Sequence, residues 1–98
     1  MTKGRWQTLT DVQIMEILKM DLQINAEQYD KYLDSLVALA KSAISREGIK
    51  IEDTVEDGML IEIYAAYLYR KRKEELQQMP KMLRHMLNNR LFSQKAGE

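Results

Sequence analysis

The sequence offers few side chains that could do chemistry, and its single histidine, His85, is the first to weigh. A zinc site draws on several His or Cys ligands, and the 98 residues contain no cysteine. No acid stands at an evident spacing to orient His85 as a general base. P-loop, dinucleotide-binding and HExxH motifs are missing too. We therefore interpret His85 as a surface or interface residue, and we expect a protein that is not an enzyme and needs no metal or cofactor.

Clustered acids form the second candidate site. They are Glu52, Asp53, Glu56 and Asp57. A calcium-binding loop needs a longer ladder of oxygen ligands around a central glycine, and this stretch does not match it. Carboxylates at the start of a helix interact favourably with its dipole. The same acids could also form a patch where one subunit meets another, and we predict an acidic subunit-interface patch here.

A run of four cations is the third candidate site. It consists of Arg70, Lys71, Arg72 and Lys73. Charge is segregated although the net charge is zero: residues 47–62 hold six acids and one base, and residues 70–95 hold eight bases and two acids. Two copies could meet head to tail, a heterologous contact that closes into a ring where the rotation permits. Stabilisation of a helix end, or plain solvation of both regions, would explain the same pattern.

Helical elements must position these groups, and the first two have recognisable starts. Thr10 with Gln13 matches a capping box, so a first helix should begin there and end near residues 19–21. Asn25 is the expected cap of a second helix, whose apolar stripe holds a 3.6-residue period to Gly48. This second helix should run for about six turns, roughly 33 Å. Gly48 is the natural residue to close it.

The remaining helices carry the charged sites. Thr54 is the expected cap of a third helix that spans residues 55–73 and is apolar on nearly every side, so it should be enclosed by protein. After a polar hinge at Gln77 and Gln78, Met79 and Pro80 should open a short fourth helix. We expect that helix to cover residues 79–91 and to end near Asn88 and Asn89. Residues 93–98 should be frayed.

Composition confines the chain to one globular domain, with a core over residues 9–76. Hydrophobic residues make up 45% and charged residues 31%. The longest apolar run, residues 63–69, falls far short of the roughly 20 residues that cross a bilayer, and no signal-peptide pattern opens the chain. We expect a soluble intracellular protein with no membrane contact. The fold class is all-α: a compact four-helix domain with a long second helix, a buried third helix and a short C-terminal docking helix.

Methionines favour a partner surface on the fourth helix. Seven of the 98 residues are Met, and Met79, Met82 and Met86 lie close together. Methionine makes adaptable contacts with more than one partner, although it also fills gaps in cores. A flexible helix of this kind could become ordered only on binding.

These segments together resemble the head–tail connector proteins of tailed bacteriophages, also called adaptor or head-completion proteins. In chain order the segments are LTDVQIMEILKMD, YLDSLVALAKSAIS, IEIYAAYLYRKRKEE and MPKMLRHMLNNRLF. The resemblance covers residues 9–92. Its most specific part is the apolar helix that ends in polar residues and is followed by a Met-Pro turn and a short Leu-rich helix.

The resemblance implies a structural role in virion assembly. Such proteins form a ring of about twelve subunits beneath the portal, which completes the DNA-filled head and extends the DNA channel. The ring also offers a platform to the stopper or tail, so the implied location is the head–tail interface of the virion, and the host cytoplasm during assembly. The C-terminal helix would bind the portal through Met79, Met82, Leu83, Met86, Leu87 and Arg90. Residues 70–73 would face the portal or touch DNA in the channel without sequence specificity.

Two other functions remain open at this stage. A small helical protein with a basic segment could bind DNA in phage transcription or packaging. Against this, the pI is near 6.6 and no helix-turn-helix spacing is convincing. The second alternative is a helical interaction module unrelated to phage, which would form a stable small oligomer.

Overall fold

A computed structural model describes residues 9–73 and 78–97 of the chain. Within these residues the fold is all-helical and compact, which confirms the predicted fold class. A 3-10 turn at Glu27–Tyr29 precedes the second helix. The α-helices are α1 (Asp11–Leu22), α2 (Asp30–Arg46), α3 (Val55–Arg72) and α4 (Lys81–Ala96). The predicted hinge position Gln77, the core positions 74–76 and the last residue of the predicted frayed tail lie outside the described residues.

Helix α1 begins as its capping box predicts. The Thr10 hydroxyl accepts a hydrogen bond from the Gln13 N–H at 3.2 Å, and the Gln13 amide oxygen accepts one from the Thr10 N–H at 2.9 Å. The helix continues to Leu22, slightly beyond the expected end. Gln23 then takes a left-handed conformation (φ 58°), and the Ile24 N–H donates to the carbonyl of Lys19. This hydrogen bond satisfies a backbone carbonyl at the C-terminal end of α1 that has no partner within the helix.

Helix α2 is shorter than its apolar stripe suggests, and the predicted cap at Asn25 is wrong. The chain first makes the 3-10 turn, and α2 begins at Asp30 without a side-chain cap. Asp30 accepts a 2.7 Å bond from the Lys19 ammonium group at the end of α1, so α2 starts where the reversing chain meets α1. The helix has 17 residues, about 26 Å. Gly48 follows the end of the helix at φ 98°, the conformation that its position predicts.

Helix α3 is the central element and matches its predicted bounds closely. The Thr54 hydroxyl accepts a 3.1 Å bond from the Asp57 N–H, which confirms the predicted cap. Nine of its 18 residues are buried, among α1, α2 and α4. Two of the buried residues, Asp57 and Glu62, are acids. From the sequence, Asp57 belonged to the predicted acidic surface patch, and Glu62 lay within the third helix, which is apolar on nearly every side.

Helix α4 is longer and better anchored than predicted. It runs through Asn88 and Asn89 to Ala96, so the expected end and the expected fraying of residues 93–96 are wrong. The Gln94 side chain explains the difference: its oxygen accepts the Lys50 N–H at 2.8 Å and its amide group donates to the Lys50 carbonyl at 2.5 Å. A helix tied to the loop near its last turn does not unravel there.

The hydrophobic core draws on all four helices. Its α1 and α2 members include Ile14, Leu18, Leu33 and Ile44, and Ile49 adds one residue from the loop. Helix α4 contributes Leu83 and Leu87, each only 1% exposed. The fourth helix is therefore part of the folded domain, and its Leu residues stabilise the chain itself.

Replacing Leu83 with Ala should lower the free energy of unfolding by about 2–5 kcal/mol, because it removes buried methyl groups and leaves a cavity. Met82→Ala is the matched control on the same helix. Met82 is 67% exposed, and its loss should change the free energy by less than about 0.5 kcal/mol. Urea unfolding followed by circular dichroism measures both. Equal, small effects would contradict the packing of α4 in the core.

Candidate functional site

A buried ion cluster joins α4 to the start of α3. Arg90 is 12% exposed, and its guanidinium group donates to both carboxylate oxygens of Asp57 at 2.7 and 3.0 Å. It also donates to Glu52 at 2.8 Å, and Glu56 lies 4.0 Å away. Asp57 is 1% exposed and accepts the Glu52 N–H at 2.8 Å. These hydrogen bonds, chiefly the one to Asp57, raise the pKa of Arg90.

This geometry corrects part of the predicted acidic subunit-interface patch. Asp57 is an interior residue, so it cannot belong to a surface patch. Glu52 and Glu56 are exposed, and both lie near the Arg90 guanidinium, at 2.8 and 4.0 Å. Asp53 is exposed as well. An interface role for the three exposed acids stays a prediction. The sequence alone could not reveal that Arg90, 33 to 38 residues further along the chain, contacts Glu52, Glu56 and Asp57.

A second ion pair holds the first turn of α4. Arg84 donates from both terminal nitrogens to the two oxygens of Glu47, each at 3.0 Å. This bidentate contact lowers the pKa of the Glu47 carboxyl below its ordinary value. Together with Arg90 and Gln94, Arg84 fixes α4 at three points along its length. The helix is thus a rigid, preformed element.

The predicted portal-binding residues of α4 divide into three groups. Leu83 and Leu87 are core residues and Arg90 is engaged by Asp57, so the structure corrects their assignment to a partner surface. Met79 and Met86 are partly buried against the core. Met82 alone of the six is largely exposed, at 67%.

The sequence reasoning missed an exposed face on the other side of α4. We call it the outer face, made up of Met82, His85, Asn89 and Phe92. Their spacing of three to four residues puts them on one side of the helix. Phe92 is 67% exposed, as Met82 is, and the face carries no Lys, Arg, Asp or Glu. Phe92 was the residue that could have indicated this face, but it lies just beyond the predicted helix bounds of 79–91.

The basic run lies at the opposite end of α3. Arg70 bonds the Asp21 carboxylate at 3.0 Å. The three exposed cations sit over tyrosine rings at 5.4–5.9 Å: Lys71 over Tyr67, Arg72 over Tyr32 and Lys73 over Tyr69. Cation–π contacts of this kind orient the side chains while leaving their charge open to a partner. A role for the basic run against the portal or DNA stays a prediction.

Glu62 is a second buried acid that the sequence reasoning missed. It is 2% exposed, and one of its carboxyl oxygens has no hydrogen-bond partner in the described part of the chain. Burial, together with the neighbouring Asp21 carboxyl, raises the pKa of Glu62 to about 8. Accepting a hydrogen bond from Glu62, with a smaller contribution from Arg70, lowers the pKa of Asp21. The sequence feature that could have indicated its burial is a single acid within an apolar helical segment.

The comparisons with known proteins found nothing: no protein-family model, curated protein or solved structure matches this chain. Among residues 9–73 and 78–97, no group of three or more acids or histidines is placed to hold a metal ion. None of the helices described is long and apolar enough to traverse a bilayer. His85 lies exposed on the outer face of α4.

Replacing Arg90 with Met should lower the free energy of unfolding by about 3–5 kcal/mol, because Asp57 would be left as an uncompensated buried charge. Adding Asp57→Asn should recover part of this loss, since the amide needs no counter-ion. Lys95→Met removes an exposed cation from the same helix and serves as the control. Urea unfolding of the three variants is the measurement, and an Arg90→Met chain as stable as the control would refute the buried cluster.

Replacing Glu62 with Gln should flatten the pH dependence of stability. The unfolded chain releases this proton near pH 4.5, whereas the folded chain holds it to about pH 8. The folded state binds more protons in that interval, so stability falls as pH rises through it, by up to about 1.4 kcal/mol per pH unit. The lowered pKa of Asp21 acts only in acid, where its contribution is lost as pH falls through the folded pKa.

Glu27→Gln, an exposed change of the same kind, is the control for Glu62→Gln. Urea midpoints measured from pH 5 to pH 8.5 should decline for the native sequence and the control, and should stay level for Glu62→Gln. A parallel decline in all three chains would contradict a neutral, buried Glu62.

Proposed function

We propose that this protein is a ring-forming subunit of the head–tail connector of a tailed bacteriophage. In this role it is a structural component of the virion and has no catalytic activity. The ring lies under the portal, completes the DNA-filled head and presents the attachment platform for the stopper or tail. The partners of the chain are other copies of itself, the portal protein and the stopper or tail-completion protein.

The arrangement of helices supports this proposal. The resemblance implies a short first helix, a longer second helix, an enclosed third helix and a fourth helix after a Met-Pro turn. The observed helices follow that order, with Pro80 immediately before α4. Agreement in helix order alone is shared by many small helical proteins, so the proposal needs a surface suited to a large partner.

The outer face of α4 is the observation that carries the proposal. Exposed Met82 and Phe92 lie on a helix that three internal contacts hold rigid. Large apolar side chains on a preformed helix are typical anchors of protein interfaces, because little conformational freedom is lost on binding. Docking of this face into a hydrophobic groove of the portal would follow a common mode of helix recognition.

The proposed contact differs from the one that the resemblance implied. The original set relied on Leu83, Leu87 and Arg90, which the core and the ion cluster occupy. The revised set consists of the outer face, with Met79 and Met86 at its edge. A portal-bound α4 therefore keeps its inner contacts and presents its opposite side.

A DNA-binding function is the second candidate, and one observation favours it. Lys71, Arg72 and Lys73 are exposed and make no ion pair with the described residues. Three phosphate contacts would give measurable affinity for duplex DNA, with a logarithmic salt slope of about −3. Affinity of that kind, without affinity for the portal, would favour a role in transcription or packaging.

Replacing both Met82 and Phe92 with Asp should leave the chain folded but weaken its binding to the portal of the same phage by about a hundredfold or more, because each anchor contributes on the order of 2 kcal/mol. Met20→Asp with Leu39→Asp is the control, since these residues are 77% and 54% exposed on other helices. Pull-down on purified portal rings measures binding. Particles assembled with each variant can be counted by electron microscopy.

Heads that lose their DNA or fail to join tails with the Met82/Phe92 variant, and normal particles with the control, are the expected result. Portal binding by the folded double variant at native strength would exclude the outer face. No binding of the native chain to any portal, together with the DNA affinity described above, would overturn the connector assignment.

A further inference from the structure

We propose that the groove between α1 and α2 binds the basic C-terminal end of α3 from a second copy of this chain. We call these surfaces the acidic groove, defined by Val12, Met15, Glu16, Lys31 and Asp34, and the basic end, defined by Lys71, Arg72 and Lys73. This inference deepens the proposed ring-forming function, on which it rests, by naming both sides of the contact between subunits.

The acidic groove has an apolar floor and a charged rim. It encloses about 400 Å³ between α1 and α2. Val12 and Met15 supply apolar surface, and Val12 is 69% exposed. Glu16 and Asp34 stand on the two helices that border it. A long side chain with an aliphatic stem and a cationic head suits such a groove, because the stem packs on the floor while the head reaches the rim.

The rim retains negative charge after the internal ion pairs are taken into account. Two further acids line the groove: Asp30 accepts from Lys19 at 2.7 Å, and Asp11 accepts from Lys41 at 2.9 Å. Glu16 and Asp34 make no ion pair with the described residues. Of the two bases in the lining, Lys31 likewise makes none, whereas Lys19 pairs with Asp30.

The basic end offers the opposite charge in a defined orientation. Arg72 and Lys73 make no ion pair with the described residues and rest over Tyr32 and Tyr69. The rings restrict where the cations lie, which lowers the entropy lost when a carboxylate binds them. Arg72 can also bind a carboxylate through two parallel hydrogen bonds.

The acidic groove is an alternative to residues 52–57 as the acidic side of the subunit contact. There Asp57 is buried and Arg90 already bonds Asp57 and Glu52, so that a basic partner would compete with an internal ion pair. The acidic groove and the basic end share no residue, although Arg72 rests over Tyr32, the neighbour in the chain of Lys31 in the groove. A contact between two different surfaces is heterologous, and repeated use of it generates a ring where the rotation closes.

Charge reversal tests the inference. Glu16→Lys with Asp34→Lys reverses the groove, and Arg72→Glu with Lys73→Glu reverses the basic end. Sedimentation at low ionic strength should show salt-sensitive self-association of the native chain and at least a tenfold weaker association of each reversed chain, about 1.4 kcal/mol. An equimolar mixture of the two reversed chains should associate again, because every groove then meets an end of opposite charge. The chain that carries all four changes should also associate.

Glu27→Lys with Lys81→Glu is the control, since it makes the same kinds of charge change at exposed positions outside both surfaces. Circular dichroism confirms the fold of each variant. A native chain that stays monomeric at about 1 mM in low salt, where surface attraction is least screened, would overturn the inference. So would reversed chains that fail to associate when mixed, or a basic end whose reversal abolishes only DNA binding.

The outcome is separable from that of the proposed function. Replacing Met82 and Phe92 with Asp leaves both surfaces intact, so that chain should self-associate like the native one. Loss of self-association together with native portal binding by the reversed chains supports both proposals. Portal binding with no self-association of the native chain refutes this inference alone.

Discussion

The carboxylate of Asp57 is the group on which the rest of the arrangement depends. It lies in the first turn of α3, which Thr54 caps, accepts the Glu52 N–H from the preceding loop, and receives two hydrogen bonds from Arg90 of α4. The loop and the start of α3 thus meet α4, 33 residues further along the chain, at one buried side chain. Because an unpaired buried charge is strongly unfavourable, this contact favours α4 in its observed place. The outer face of α4 is presented in one orientation for the same reason.

Helix α3 buries two acids, and the unfavourable free energy of burying a carboxylate is offset differently at each. Asp57 is paired with a guanidinium group, whereas Glu62 avoids the cost of a buried charge by keeping its proton, with its pKa raised to about 8. The Asp21 carboxyl next to Glu62 remains ionised because it gains hydrogen bonds from Glu62 and Arg70. The two arrangements lie toward opposite ends of α3. One fixes α4, and the other joins the end of α1 to the base of the basic run.

Local signals in the sequence were reliable where neighbouring residues decide the structure. Thr10 and Thr54 cap their helices through residues three positions away, and Gly48 takes the positive φ that only its own missing side chain allows. The predicted cap at Asn25 was wrong: the chain makes a 3-10 turn first, and α2 begins at Asp30, which contacts Lys19 eleven positions earlier. Burial of Asp57 and Glu62 could not be predicted, since it depends on partners from other helices. The candidate partner surface on α4 changed for the same reason: the inner side of the helix packs in the core, and its outer face is exposed.

A rigid α4 changes how premature assembly would be avoided. The sequence suggested a flexible helix that becomes ordered only on the portal, so that ordering would hold back early association. The ion pairs of Arg84 and Arg90 favour instead a helix that is formed before binding, so that binding loses little conformational entropy. Weak contacts between subunits can serve the same purpose. A groove with two unpaired carboxylates and one unpaired lysine that receives three exposed cations gains little in free energy per contact at physiological salt. Subunits would then remain apart in solution and join side by side only when the portal holds them at high local concentration.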